Sequence, residues 1–178
     1  GDTLTPPEEE GGREVTPSPE IDEPSEPSEP DYEKMSKREL EREKKKYIMI
    51  LSAHCILKKF NEANIIKDLE KNSCVFGNQI PVWNGKKISK RYLWSHFSNK
   101  KTKNMYSELE KRYFLHNALA VYKKNTLKKF PFDENLTSKE DRYWANKIIK
   151  KKMNFIYDPE LIAEHQYTIH GNTWKGIA

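Results

Sequence analysis

Glu140 and Asp141 stand side by side in LTSKEDRYWANKIIKKKM (residues 136–153), at a predicted helix start. TSKE (137–140) matches a capping box: Thr137 accepts from the Glu140 amide while the Glu140 side chain reaches back. Acids in a first turn also complement the helix dipole, by about 0.3–1 kcal/mol. That accounts for Glu140 as a cap. Consecutive helical residues diverge by roughly 100°, so Asp141 does a different job. It points elsewhere, for instance into a cleft at a sheet edge, and the helix N-terminus keeps it ionised, as a general base requires.

The histidines are the next groups able to move a proton or hold a metal. His165 follows FIYDP (Phe155–Pro159), a predicted short final strand, within EHQYTIHGNTWKG, where His170 and Gly171 are close. Polar and aromatic flanks of this kind suit a ligand-binding loop. A core or surface imidazole is the alternative. Ser52 and His54 stand at the end of the apolar run YIMILSAHC (Tyr47–Cys55), a predicted buried strand. In open α/β sheets ligands bind just beyond such strand ends; otherwise Ser52, Ala53 and His54 merely turn the chain. A zinc set drawn from His165, His170, Cys55 and Cys74 has no recognised spacing.

These groups need a scaffold, and the pattern supplies one. NEANIIKDLEK (Asn61–Lys71) is amphipathic and predicts a helix, and CVFGNQIP (Cys74–Pro81) a second strand. Strand, helix, strand in this order suggests a βαβ unit and an α/β fold. Residues 82–111 show no clear period and read as loop, with a short helix near Tyr106–Phe114. ALAVYKK (Ala118–Lys124) predicts a strand and FPFDENL (Phe130–Leu136) a turn-rich connection. Trp144, Ala145, Ile148, Ile149 and Met153 share one face of the helix that Glu140 opens.

Charge divides the chain. Residues 1–33 carry twelve acids against Arg13 alone, a net −11, and hold seven of the ten prolines. The whole chain is +5, so residues 34–178 carry +16. The first segment has too little to bury to offset its ordering entropy and predicts a disordered acidic arm. Residues 34–46 read as a charged helix or linker. Cys55 and Cys74 fit no CxxC motif and predict reduced thiols in a cytoplasmic protein. No signal peptide or membrane-length apolar run is visible. Lys-rich KKISKRY (86–92), SNKKTKN (98–104) and KIIKKKM (147–153) read as solvated faces, or as a basic module for nucleic acid or an anionic membrane surface, masked by the acidic arm. No nucleic-acid-binding motif accompanies them.

Five stretches in one order, LSAHCI (51–56), VFGNQIP (75–81), FLHNALAVYKK (114–124), FPFDENLTSKEDRYWANKI (130–148) and MNFIYDPELIAEHQYT (153–168), resemble the C-terminal half of a family 2 glycosyltransferase domain of the GT-A type. The resemblance covers roughly residue 47 to the C-terminus. It implies a partial GT-A mixed sheet with flanking helices behind the arm. The implied activity is inverting transfer of a sugar from a nucleotide-sugar to a glycan or lipid-linked acceptor hydroxyl, in bacterial surface-glycan synthesis at the inner membrane face. It casts Asp141 as the base, with Glu140 capping the helix or holding acceptor hydroxyls. Asn117, Ser52, Trp144 and Thr168 fall along the donor and acceptor. His165 matches the position that contacts the metal, magnesium or manganese, or the donor diphosphate, and His54 is the other candidate metal ligand.

Two departures carry consequences. SAHC occupies the place of the family's Asp-x-Asp motif, so a histidine stands where an acid is expected, and magnesium prefers oxygen. The family's nucleotide-binding first half has no counterpart, its place being taken by the arm and linker. A half-domain of this kind is expected to expose an apolar sheet edge, to bind donor weakly and to need a partner chain completing the sheet.

Overall fold

A computed structural model describes residues 36–37, 46–90 and 92–166. Every described residue belongs to one compact unit within Asp31–Ala178. The acidic arm, most of the charged linker, Thr168 and His170 lie outside the described residues.

The described residues form a mixed α/β structure. Its strands are β1 (Tyr47–Leu51), β2 (Cys55–Lys59), β3 (Cys74–Trp83), β4 (Lys86–Lys87), β5 (Thr102–Lys103), β6 (Tyr106–Ser107), β7 (Arg112–Tyr113), β8 (Leu119–Lys123) and β9 (Ile156–Gln166). The helices are α1 (Glu62–Lys71), α2 (Lys124–Lys129) and α3 (Glu140–Lys150), with a 3-10 turn at Tyr92–His96. The main sheet runs β1-β8-β3-β9-β2, with β4 on β3 and β5 on β9. β8 is antiparallel to β1 and β3, β9 is parallel to β3, and β2 is antiparallel to β9. Strands β1, β3 and β9 therefore share one direction, and their carboxyl ends lie at one edge.

The predicted strand Tyr47–Cys55 is broken in two by a turn at Ser52–His54, closed by the Cys55 amide donating to the Ser52 carbonyl at 2.9 Å. The strand–helix–strand order is present, but β1 and β3 are parallel without being neighbours, because β8 is inserted between them. The Ser52–His54 turn also sets the curvature. It joins β1 and β2, the two ends of the five-strand order. Four intervals of about 4.8 Å would separate them in a flat sheet, some 19 Å. Four residue steps span roughly 14 Å at most. The sheet is therefore curled at its carboxyl edge, and the turn crosses that edge.

Alternation along the strands builds two apolar layers. Phe76, Ala120, Tyr122 and Tyr157 face Trp144, Ala145 and Ile148 of α3, with Trp94, Phe97 and Phe114. Val75, Leu119, Val121 and Leu161 face Ile65 and Leu69 of α1. Asn61 caps α1, its side chain accepting from the Asn64 amide at 3.1 Å. Gly77 is required where β3 meets β9: an added Cβ would lie 2.5 Å from the Leu161 carbonyl oxygen and 2.5 Å from Leu119 Cδ2.

Three local expectations are corrected. The expected helix near Tyr106–Phe114 is instead the β6–β7 hairpin, Tyr106 opposite Tyr113, turning at Lys111 with φ 51°. The capping box at Thr137 does not form: α3 begins at Glu140, its N-cap is Lys139 in the left-handed region (φ 62°), and no side chain caps it. The final strand does not stop at Pro159 but continues to Gln166, because that proline falls at the register shift opposite Gly77/Asn78, where the ladder is already interrupted.

β1 is an edge strand, apolar at all five positions, with Met49 and Leu51 38% and 40% exposed. Among the described residues no helix is long and apolar enough to cross a membrane.

Candidate functional site

The carboxyl edge gathers most of the residues singled out from the sequence. Segment His116–Ala118, which leads into β8, is its centre. Ser52 is tied there by its amide, which donates to the Ala118 carbonyl at 3.0 Å. Asn117 is tied to α3, because its amide donates to Asp141 Oδ2 at 2.9 Å and its Nδ2 approaches Glu140 Oε1 at 3.5 Å. Tyr122, five residues further on and within β8, donates its hydroxyl to Asn117 Oδ1.

The two acids diverge as helical geometry requires. Glu140 is half-buried. Asp141 does not face an open cleft: it is 5% exposed and turned inward. Its Oδ1 accepts from the Arg142 amide at 2.8 Å, and its Oδ2 from Arg142 Nη1 at 2.9 Å. Arg142 is itself buried. It donates to the Leu115 carbonyl at 2.9 Å, lies 3.5 Å from Glu110 Oε2 and stacks over the Phe114 ring at 4.3 Å. Burial pushes the Asp141 carboxyl up, while Arg142 and the Asn117 amide pull it down. A buried guanidinium demands a counter-charge, and Asp141 and Glu110 supply it. Asp141 is thus the carboxylate that fixes Asn117 and the start of α3.

A second network lies beside the first. Gln79, buried in the middle of β3, bridges two imidazoles: Gln79 Nε2 to His116 Nδ1 at 3.0 Å, and Gln79 Oε1 to His165 Nδ1 at 2.9 Å. The Ala118 amide also donates to His116 Nδ1, at 3.2 Å. His165 meets the His54 ring at 4.6 Å between centroids and the edge of Trp94 at 4.7 Å. Half-buried His54 is within 3.3 Å of Ser52 Oγ. Burial holds both inner imidazoles neutral. His116 is lowered well below the usual range, first by burial and then by Arg142, His165 and His54. His165 is lowered to about 3, by burial and then by His54.

The structure thus brings Ser52, His54, Asn117, Glu140, Asp141 and His165 to one edge, and it places Trp144 elsewhere. Trp144 is buried under the sheet against Tyr122, 5.0 Å between ring centroids, with its Nε1 donating to the Phe130 carbonyl. It is a core residue. Gln79, His116 and Arg142 were not singled out from the sequence. Gln79 and His116 had a signal, a polar residue inside an apolar run (CVFGNQIPV and FLHNALAV); Arg142, in KEDRYW, had none.

The donor set at the Ser52–His54 turn does not fit magnesium. Its nearest potential ligands are the two imidazoles of His54 and His165 and the Ser52 hydroxyl, with no carboxylate on the turn. Among the described residues no group of three His, Cys, Asp or Glu side chains is placed to hold a metal ion. Lys90 supplies a cation at the same edge, its Nζ held by Asn78 Oδ1 at 3.3 Å and the Phe97 carbonyl at 2.6 Å. No protein-family model matches the chain, and no curated protein matches it in sequence.

Proposed function

We propose that residues 47–166 form the acceptor-side half of an inverting sugar transferase, acting on a nucleotide-sugar donor and a glycan or lipid-linked acceptor. The observation that carries this reading is the convergence of Ser52, Asn117, Glu140 and His165 at the carboxyl edge of three strands that share a direction, where α/β sheets bind ligands. In this reading Glu140, at a helix N-terminus, takes the proton of the acceptor hydroxyl. The hydroxyl oxygen then attacks the anomeric carbon as the bond to the diphosphate breaks on the opposite side. Lys90 offsets charge on that leaving group, and Asp141 holds Asn117 and α3 in register. No step is routed through a metal. A partner chain completes the sheet at the apolar edge of β1.

The test is amide chemical-shift mapping of the full chain with simple glycosides and with nucleotide-sugars. Weak, millimolar shifts confined to Ser52, His54, Asn117 and Glu140 are expected, with no saturable donor binding by calorimetry in that range. Shifts scattered away from this edge, or none at all, would reject the reading.

One observation favours a second reading. The opposite edge of the sheet is basic: Lys71, Lys103, Lys123, Lys124, Lys151 and Lys152 fall at the amino ends of β3 and β9 or beside the end of β8. A non-catalytic module using that pole would bind anionic vesicles or DNA with an affinity falling steeply with salt. Lys151→Glu with Lys152→Glu would abolish this binding and leave shifts at the carboxyl edge unaltered.

A further inference from the structure

The imidazole network contains one donor whose direction is fixed by chemistry. A backbone N–H only donates, so the Ala118 amide pointing at His116 Nδ1 (3.2 Å) requires that nitrogen to carry its lone pair. The neutral ring, buried with His116, then holds its proton on Nε2. Gln79 must in turn offer its amide NH2 to His116 Nδ1 (3.0 Å), which leaves its oxygen for His165. An oxygen accepts, so His165 Nδ1, 2.9 Å away, must be the protonated nitrogen. Each step leaves one choice, and the choices propagate from the backbone just before β8 to the end of β9.

We infer that Gln79 and His116 are positioning residues that lock His165 as its Nδ1–H tautomer, with the lone pair on Nε2. The relay runs Ala118 N–H, His116, Gln79, His165. Trp94, set edge-on to His165 at 4.7 Å and 6.3 Å from His116, packs the pair from one side. The atom that meets Nε2 must bring a proton or positive charge: a hydroxyl, an N–H or a cation. Phosphate oxygen, which also needs a donor, is excluded as its partner. His165 is itself 0% exposed, so on the sugar-transferase reading the locked ring fixes the end of β9 against half-buried His54, and the diphosphate is left to donors such as Lys90.

Long-range 1H–15N spectra of the imidazoles in the full chain, near pH 7.5 and without any ligand, decide the matter. His165 is expected to show a protonated Nδ1 and an unprotonated Nε2, and His116 the reverse. In Gln79→Leu, His165 is expected to lose its single-tautomer pattern for an averaged one; Gln79→Met serves if the leucine variant does not fold. His165 protonated on Nε2 in the intact protein, or locked as before in both variants, would overturn the relay. A correct tautomer together with silent glycoside mapping would instead reject sugar transfer and leave the relay standing.

Discussion

Replacing Asp141 with asparagine separates a buried structural carboxylate from an exposed catalytic one. The side chain keeps its shape, so no cavity is made. Each carboxylate oxygen accepts at least one N–H, from the Arg142 amide at Oδ1 and from the Asn117 amide and Arg142 Nη1 at Oδ2. An Asn side chain offers one oxygen, so whichever way it turns an NH2 faces another donor. The Arg142 charge, 5% exposed, would retain Glu110 alone, at 3.5 Å. Breaking a buried ion pair from one side costs about 3–5 kcal/mol. With a urea slope near 2 kcal/mol/M the midpoint falls by roughly 2 M. The melting temperature falls by roughly 10 °C. Glu140→Gln, which alters a half-buried group with one long contact, is expected to shift stability by less than about 0.5 kcal/mol. Urea and thermal unfolding of both variants measure this. A catalytic acid in an open cleft would behave in the opposite way, since removing its charge is neutral or stabilising. Asp141→Asn unfolding within about 0.5 kcal/mol of the parent would therefore refute the buried-pair reasoning.

Acid is expected to unfold the protein through its inner histidines: the folded pKa of His165, about 3, lies below the unfolded value, so stability is full above about 6.5 and is lost as pH falls from there. At pH 5 His165 alone costs about 2 kcal/mol, and His116, lowered in the same direction, adds to it; a urea midpoint unchanged between pH 7.5 and 5 would contradict this. Gly77→Ala is expected to destabilise by about 2 kcal/mol or more, since its Cβ meets the Leu161 carbonyl at 2.5 Å, and circular dichroism melts would read the loss. Tyr122→Phe removes the hydroxyl that holds Asn117 Oδ1 and is expected to cost about 1 kcal/mol, with the Asn117 side-chain amide exchanging faster with solvent.

The elements were legible where one period dominated. Asn61–Lys71 carried its apolar stripe and its cap, and Cys74–Pro81 and Ala118–Lys124 carried unbroken β-formers, so α1, β3 and β8 follow from local pattern. The pairing order was not legible, because which strand β8 inserts between is decided by packing of Tyr122 and Val121 against opposite layers, not by anything near them in sequence. Thr137 had the right spacing to cap α3 but lost to Lys139 in a left-handed conformation. Asp141 fixes that start from inside by accepting the Arg142 amide. Ser52, Glu140 and His165 stood out as polar residues near element ends, while Asn117 entered only through the resemblance. The inward turn of Asp141 was not legible, because it answers a buried guanidinium one residue on, and sequence alone leaves Arg142 on the surface, where arginines usually lie.

The two networks end on adjacent residues, which makes them one mechanical unit. Gln79 holds His116 and Asp141 holds the Asn117 amide, so the same short segment is clamped from the sheet and from α3. They also share a field, since Arg142 is the second cause keeping His116 neutral, after burial. Gln79 and Asp141 share no hydrogen bond, so independent sites would give additive losses within about 0.3–0.5 kcal/mol. Coupling through the segment gives a different result. Once either clamp is released, His116–Ala118 is free to shift, and the second loss is smaller than when it occurs alone. A double-mutant cycle of Gln79→Leu with Asp141→Asn, read by urea unfolding, is expected to show an interaction energy of about 1 kcal/mol in that direction. Strict additivity would mean that the segment is rigid for some other reason, and that Asn117 is held by its chain connection to β8 and by Tyr122 alone.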